Sequence, residues 1–137
     1  MKVRDFMTPK PETIHPDSDL KTAFRIMKKR NFRQLPVIKD GELVGMITDR
    51  DMRSLDSADD IESLDSVYRL DDGSQVRSLM TPDVVTVRED DDLAAACSVL
   101  HKNKFNALPV LSESGELVGI ITLHDLLEPL MSFLKGD

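Results

Sequence analysis

The chain spells one segment twice. VRDFMTPKPETIHPDSDLKTAF, from Val3, lies over VRSLMTPDVVTVREDDDLAAAC, from Val76, 73 positions on. The register continues with Phe32-Arg33-Gln34-Leu35-Pro36-Val37 over Phe105-Asn106-Ala107-Leu108-Pro109-Val110. One extra residue near Ser114 then brings Gly41-Glu42-Leu43-Val44-Gly45 over Gly115-Glu116-Leu117-Val118-Gly119. A tandem duplication of this kind restricts the fold to two versions of one small unit. The repeats cover residues 1–56 and 76–137, and residues 57–75 belong to neither.

In each copy an extended stretch, Thr13-Ile14 or Val84 to Val87, precedes a helix. The apolar stripe of that helix is Leu20, Ala23, Phe24 and Met27 in one copy, and Leu93, Ala96, Cys97 and Leu100 in the other. The i, i+3, i+4, i+7 spacing is that of a helix with one buried face. Asp19 and Asp92 stand at the N-cap, where a carboxylate accepts backbone N–H bonds. Cys97, in the place of Phe24, reads as a core residue rather than a reactive thiol. Pro36-Val37-Ile38 and Leu43-Val44 flank Asp40-Gly41, a two-residue hairpin turn in which both residues take φ > 0. The second copy has the longer Glu113-Ser114-Gly115 loop. After the hairpin, Thr48 or Thr122 ends a strand and a second helix begins. The expected class is α+β, with the order β-α-β-β-α twice. Between the copies, Ile61, Leu64, Val67 and Tyr68 allow a helical turn inside an acidic, solvated connector.

The sharpest motif closes each hairpin: Gly45-Met46-Ile47-Thr48-Asp49-Arg50-Asp51, and Gly119-Ile120-Ile121-Thr122-Leu123-His124-Asp125. Thr followed three residues later by an acidic side chain is close to a capping box, which ties off N–H groups at a helix start. A second reading is a ligand site. A strand-to-helix junction carries unpaired N–H groups and a positive dipole end, both attractive to phosphate. A carboxylate beside it accepts the vicinal hydroxyls of a ribose. Gly45 and Gly119 would let a ligand approach the backbone closely.

Met7-Thr8-Pro9, Leu35-Pro36-Val37 and the Gly45 to Asp51 motif, with their second-copy counterparts, resemble paired cystathionine-β-synthase (CBS) domains, the Bateman module. The resemblance covers both copies, and the motifs recur twice in the same order. It implies two CBS repeats related by a pseudo-twofold axis, with two clefts, each shared between the repeats. It also implies a regulatory module rather than an enzyme, with no catalytic residues and no metal site. Pocket one would join Thr48, Arg50 and Asp51 to Val84, Val85, Lys104, Asn106 and Pro109. Pocket two would join Thr122, His124 and Asp125 to Pro11, Glu12, Asn31, Arg33 and Pro36. Asp51 and Asp125 would bind ribose diols, Thr48 and Thr122 would touch phosphate, and Val84-Val85 would sandwich an adenine. The implied ligand is AMP, ADP or ATP. S-adenosylmethionine and NAD are less favoured, the former because Arg50 and Lys104 oppose its cationic sulfonium. Mg²⁺ would enter only with a bound nucleotide. Pocket one should bind more strongly, since pocket two offers Pro11-Glu12 where pocket one has two valines.

Composition closes off other classes. No apolar run approaches the ~20 residues of a membrane span, and MKVRDFMTPK lacks the apolar stretch of a signal peptide, so a cytoplasmic protein is expected. A lone cysteine gives neither an internal disulfide nor zinc-ligand spacing. The net charge of −7 disfavours general nucleic-acid binding. The basic stripe Lys21, Arg25, Lys28, Lys29, Arg30 and Arg33 reads as a solvated helix face, with a nucleic-acid or acidic-partner surface as the alternative. His15, His101 and His124 are far apart, and no nucleophile–base motif is present. At the C-terminus, Leu123, Leu126, Leu127, Leu130 and Leu134 form an apolar stripe broadened by Met131 and Phe133. That stripe predicts a homodimer, and Pro129 should kink the helix. A purely structural dimer module with degenerate pockets is the competing reading. In the favoured one, occupancy is read by a separate effector protein in trans.

Overall fold

The computed structural model describes residues 1–53 and 74–136. The helical turn expected over Ile61 to Tyr68 lies outside them. The chain forms two compact units, Glu12–Val84 and Met1–Pro11 with Val85–Asp137.

In the first unit, helix α2 (Leu20–Arg30) precedes a hairpin of β2 (Gln34–Lys39) and β3 (Glu42–Thr48), and α3 (Asp49–Arg53) follows. Asp19 caps α2 as expected, accepting the Thr22 N–H at 2.7 Å and the Thr22 hydroxyl at 2.8 Å. Lys39 pairs with Glu42, and Asp40 and Gly41 turn the hairpin at φ 51° and 80°, the positive pair the sequence predicted. Ile14 bridges to Val37 in parallel, so the Thr13-Ile14 stretch does extend the sheet. Leu20, Ala23, Phe24 and Met27 meet Leu35, Val37 and Ile47 in one buried cluster.

The second unit repeats the plan. α5 (Leu93–Asn103) leads to β5 (Ala107–Leu111) and β6 (Leu117–Thr122), with β4 (Val87–Arg88) parallel to β5. Val87, Leu93, Ala96, Leu100, Leu108, Val110 and Ile121 form its core. Two expectations fail here. Asp92 stands at the N-cap but makes no side-chain cap bond, because the Lys2 ammonium takes its carboxylate at 3.0 Å. Cys97 is exposed, not core: on α5 the buried positions narrow to Leu93, Ala96 and Leu100.

A short helix opens each repeat, α1 (Val3–Phe6) and α4 (Val76–Leu79), and each serves the other repeat's unit. Val76 is fully buried in the core that contains Phe24, and Val3 in the core that contains Leu100. Burying a valine contributes about 1.5–3 kcal/mol. The strand after α1, β1 (Thr8–Pro9), pairs antiparallel with β6, Thr8 opposite Ile120 and Pro9 opposite Gly119. Likewise Thr81 exchanges backbone hydrogen bonds with Met46 of β3, at 2.8 and 3.0 Å. The repeats have therefore traded their Val-Arg-x-x-Met-Thr-Pro segments.

That trade corrects the reading of Gly45 and Gly119. A Cβ on Gly45 would lie 2.7 Å from Met80 Sδ and 3.0 Å from the Thr81 carbonyl oxygen. On Gly119 it would lie 2.6 Å from Met7 Sδ and 2.9 Å from the Thr8 carbonyl oxygen. The glycines make room for a traded methionine and its backbone, not for a ligand.

After β6 a 3₁₀ turn (His124–Leu126) leads into α6 (Leu127–Lys135). Pro129 is the third residue of α6, where its missing N–H has no intrahelical partner to lose. Leu127, Leu130, Met131 and Leu134 are exposed, and Phe133 is 78% exposed.

Candidate functional site

Both Thr-x-x-Asp corners have the geometry of a reciprocal cap. The Thr48 N–H donates to Asp51 Oδ2 at 2.9 Å, and the Asp51 N–H donates to Thr48 Oγ1 at 3.1 Å. The Thr122 N–H donates to Asp125 Oδ2 at 2.9 Å, and the Asp125 N–H to Thr122 Oγ1 at 3.2 Å. The capping reading of the motif is thus what the backbone uses.

Capping does not exhaust these groups. Each threonine oxygen accepts in the cap and retains its own O–H to donate, and a carboxylate has about four acceptor positions. The cap fixes the carboxylate's rotamer, so each corner offers a pre-oriented acceptor beside a hydroxyl donor. Both aspartates and both threonines are half-buried, within reach of solvent. The Asp125 carboxylate has a further partner, the Thr8 hydroxyl, 3.3 Å from Oδ1 and 3.5 Å from Oδ2.

The unit Glu12–Val84 holds Thr48, Arg50, Asp51 and Val84 of expected pocket one, and Glu12, Asn31, Arg33 and Pro36 of pocket two. Here Arg33 has a neighbour the sequence did not suggest. Its guanidinium lies 3.6 Å from the Asp49 carboxylate, and its carbonyl accepts the Asp49 N–H at 2.9 Å. Glu12 is paired with Arg30 at 3.0 Å. Asn31 caps the end of α2 in the left-handed region at φ 58°, and Pro36 is fully buried in β2. Arg50 is exposed.

The second unit holds Thr122, His124, Asp125 and Pro11 of pocket two, and Val85, Lys104, Asn106 and Pro109 of pocket one. The Asn106 carbonyl accepts the Leu123 N–H at 3.0 Å, which ties the strand entering β5 to the corner leaving β6. Lys104 ends α5 at φ 57°, a conformation that costs a non-glycine residue about 1 kcal/mol. Val85 is 41% exposed and Pro109 is buried. His124 and Asp125 also border an open groove of about 550 Å³, flanked by Phe6, Met131 and Lys135. Among the described residues, no three His, Cys, Asp or Glu side chains cluster to hold a metal ion.

The CBS-domain family model matches residues 3–57 and 76–132. The chain belongs to the CBS-domain family. As a CBS pair it is similar to CBSX2 of Arabidopsis thaliana, at 30% identity and a TM-score of 0.85, covering 98% of this chain and 96% of that one. A second CBSX2 structure, in complex with AMP, matches at 32% identity and a TM-score of 0.80 over 96% and 97% of the two chains. The CBS pair of protein MJ0100, in complex with 5′-methylthioadenosine and S-adenosyl-L-methionine, matches at 25% identity and a TM-score of 0.78 over 95% and 99%. Inosine-5′-monophosphate dehydrogenase of Thermoplasma acidophilum is 36% identical over 115 residues, which is 84% of this chain. The chain spans only 21% of that enzyme's length. No helix among the described residues is long and apolar enough to cross a membrane.

Sequence reasoning missed Thr8 beside Asp125 and the methionines seated on the two glycines. The signal is the doubled Met-Thr-Pro, which marks the family but does not by itself indicate the strand it pairs with.

Proposed function

We propose that this CBS pair is a regulatory module that binds an adenine nucleotide, of the AMP, ADP or ATP class, at its two Thr-x-x-Asp corners. Occupancy would be read by an effector protein. The supporting observation is the doubled corner itself, where a cap orients an aspartate carboxylate beside a threonine hydroxyl. A nucleotide has complementary groups, a cis-diol to donate to the carboxylate and a phosphate to accept from the hydroxyl. The AMP complex of CBSX2, 32% identical, supports the same ligand class. In this reading pocket one comprises Thr48, Arg50, Asp51, Val84, Val85, Lys104, Asn106 and Pro109. Pocket two comprises Thr122, His124, Asp125, Pro11, Glu12, Asn31, Arg33 and Pro36.

A structural reading draws on the exposed apolar face of α6, which suits a homodimer. The two readings part in a thermal-shift panel of AMP, ADP, ATP, S-adenosylmethionine and NAD. A ligand at 100 times its Kd adds about 2.7 kcal/mol of stability. A shift of several degrees with the phosphorylated adenosines supports the sensor. No shift with any of the five leaves only the structural module.

A further inference from the structure

We infer that the Thr8 hydroxyl is an internal stand-in for a ligand hydroxyl at Asp125, so that a diol binding there must evict it and thereby bias strand β1. The inference rests on the nucleotide reading and adds to it a means of regulation. Thr8 Oγ1 lies 3.3 Å from one carboxylate oxygen of Asp125 and 3.5 Å from the other. At near-equal distances the one hydroxyl lies across the carboxylate's open edge, the edge on which a cis-diol would set one O–H against each oxygen. The bonds are long for O–H···O, whose usual span is about 2.5–3.0 Å. The Thr122 N–H, at 2.9 Å from Oδ2, approaches independently and keeps the carboxylate oriented when Thr8 leaves.

Thr8 is not a loose side chain. It is a residue of β1, paired opposite Ile120 of β6, and it follows Met7, which seats on Gly119. Eviction therefore acts on a two-residue strand that belongs in sequence to one repeat and in structure to the unit of the other. Coupling between sites is reciprocal: whatever loosens β1 raises affinity for the diol, and the diol loosens β1 by the same factor.

The test uses the Asp51→Ala chain, so that the Asp125 corner is measured alone, with calorimetric titration of AMP and of 2′,3′-dideoxy-AMP. Adding Thr8→Val, which deletes the hydroxyl and keeps the shape, should tighten AMP binding about two- to tenfold, the equivalent of one ordinary hydrogen bond. Thr8→Ser should bind AMP as the parent does, and the dideoxy analogue should be indifferent to Thr8→Val. Unchanged or weaker AMP binding in Thr8→Val overturns the inference, as does an equal gain for the dideoxy analogue. If the wild type binds AMP but the Asp51→Ala chains do not, the Asp125 corner is no nucleotide site and the inference falls with pocket two. If the wild type binds none, the nucleotide reading itself fails.

Discussion

Replacing Gly119 by alanine tests the trade of segments between repeats. The added Cβ would fall 2.6 Å from Met7 Sδ, 3.1 Å from Met7 Cγ and 2.9 Å from the Thr8 carbonyl oxygen. The methionine end can swing aside, since its thioether is flexible. The Thr8 carbonyl belongs to β1 and cannot retreat without stretching the pairing of Thr8 with Ile120. Overpacking of this kind costs about 1–3 kcal/mol. Gly→Ala returns about 0.4–1 kcal/mol by restricting the unfolded chain. The net loss is then roughly 1–2 kcal/mol, a fall in Tm of about 3–10 °C for a domain of this size. Scanning calorimetry of Gly119→Ala measures it, and Gly119→Ala with Met7→Ala apportions it. Relief of the sulfur contact should recover only part, because the carbonyl contact remains. Gly45→Ala should behave alike, against Met80 and Thr81. A Tm for Gly119→Ala at or above wild type would refute the traded packing.

Three further outcomes follow from the geometry. Asp19→Ala should lose about 1 kcal/mol in urea denaturation at neutral pH, whereas Asp92→Ala, which forms no cap, should lose less. The Thr22 hydroxyl and N–H hold the Asp19 carboxyl below the usual carboxylate range. A lowered folded pKa contributes stability above the unfolded value of about 4 and loses it as pH falls through the folded one. The deficit of Asp19→Ala should therefore shrink in acid. Lys104→Gly should raise stability by about 1 kcal/mol by relieving the left-handed backbone. On the proposed reading it should also weaken AMP at pocket one about tenfold. Leu130→Glu combined with Phe133→Glu should shift a dimer to monomer in sedimentation at micromolar concentration, and an unshifted wild-type monomer would remove the homodimer.

The sequence was most legible where one local rule decides the outcome. The Asp40-Gly41 turn, the Asp19 cap, the α2 stripe and both hairpins follow from φ preference and apolar period, and all four stand. Cys97 and Asp92 were misread by symmetry with Phe24 and Asp19. Duplication conserves backbone plan, but the partner of each side chain depends on neighbours that have diverged, here Lys2 in the case of Asp92. The C-terminal apolar stripe reads as one continuous helix, which would place Pro129 in a helix interior. The 3₁₀ turn at His124–Leu126 restarts the helix and moves the proline into its first turn. The role of Gly45 and Gly119 was hidden for a different reason. Their notches are filled by Met80 and Met7, each from the other repeat, and no local pattern encodes a contact so distant along the chain. Of the candidate site, the two Thr-Asp corners were legible as motifs, and their capping bonds answer to one of the two readings the motif allows. Thr8 was not, because its approach to Asp125 depends on the traded strand.

The central claim is that Asp51 and Asp125 bind nucleotide diols in addition to capping their own backbones. Titration calorimetry of AMP against the wild type, Asp51→Ala and Asp125→Ala tests it directly. The account predicts saturable binding by the wild type and a loss of about tenfold or more at the altered corner in each variant, with the stronger site lost in Asp51→Ala. Equal AMP affinity and stoichiometry in all three proteins would contradict it.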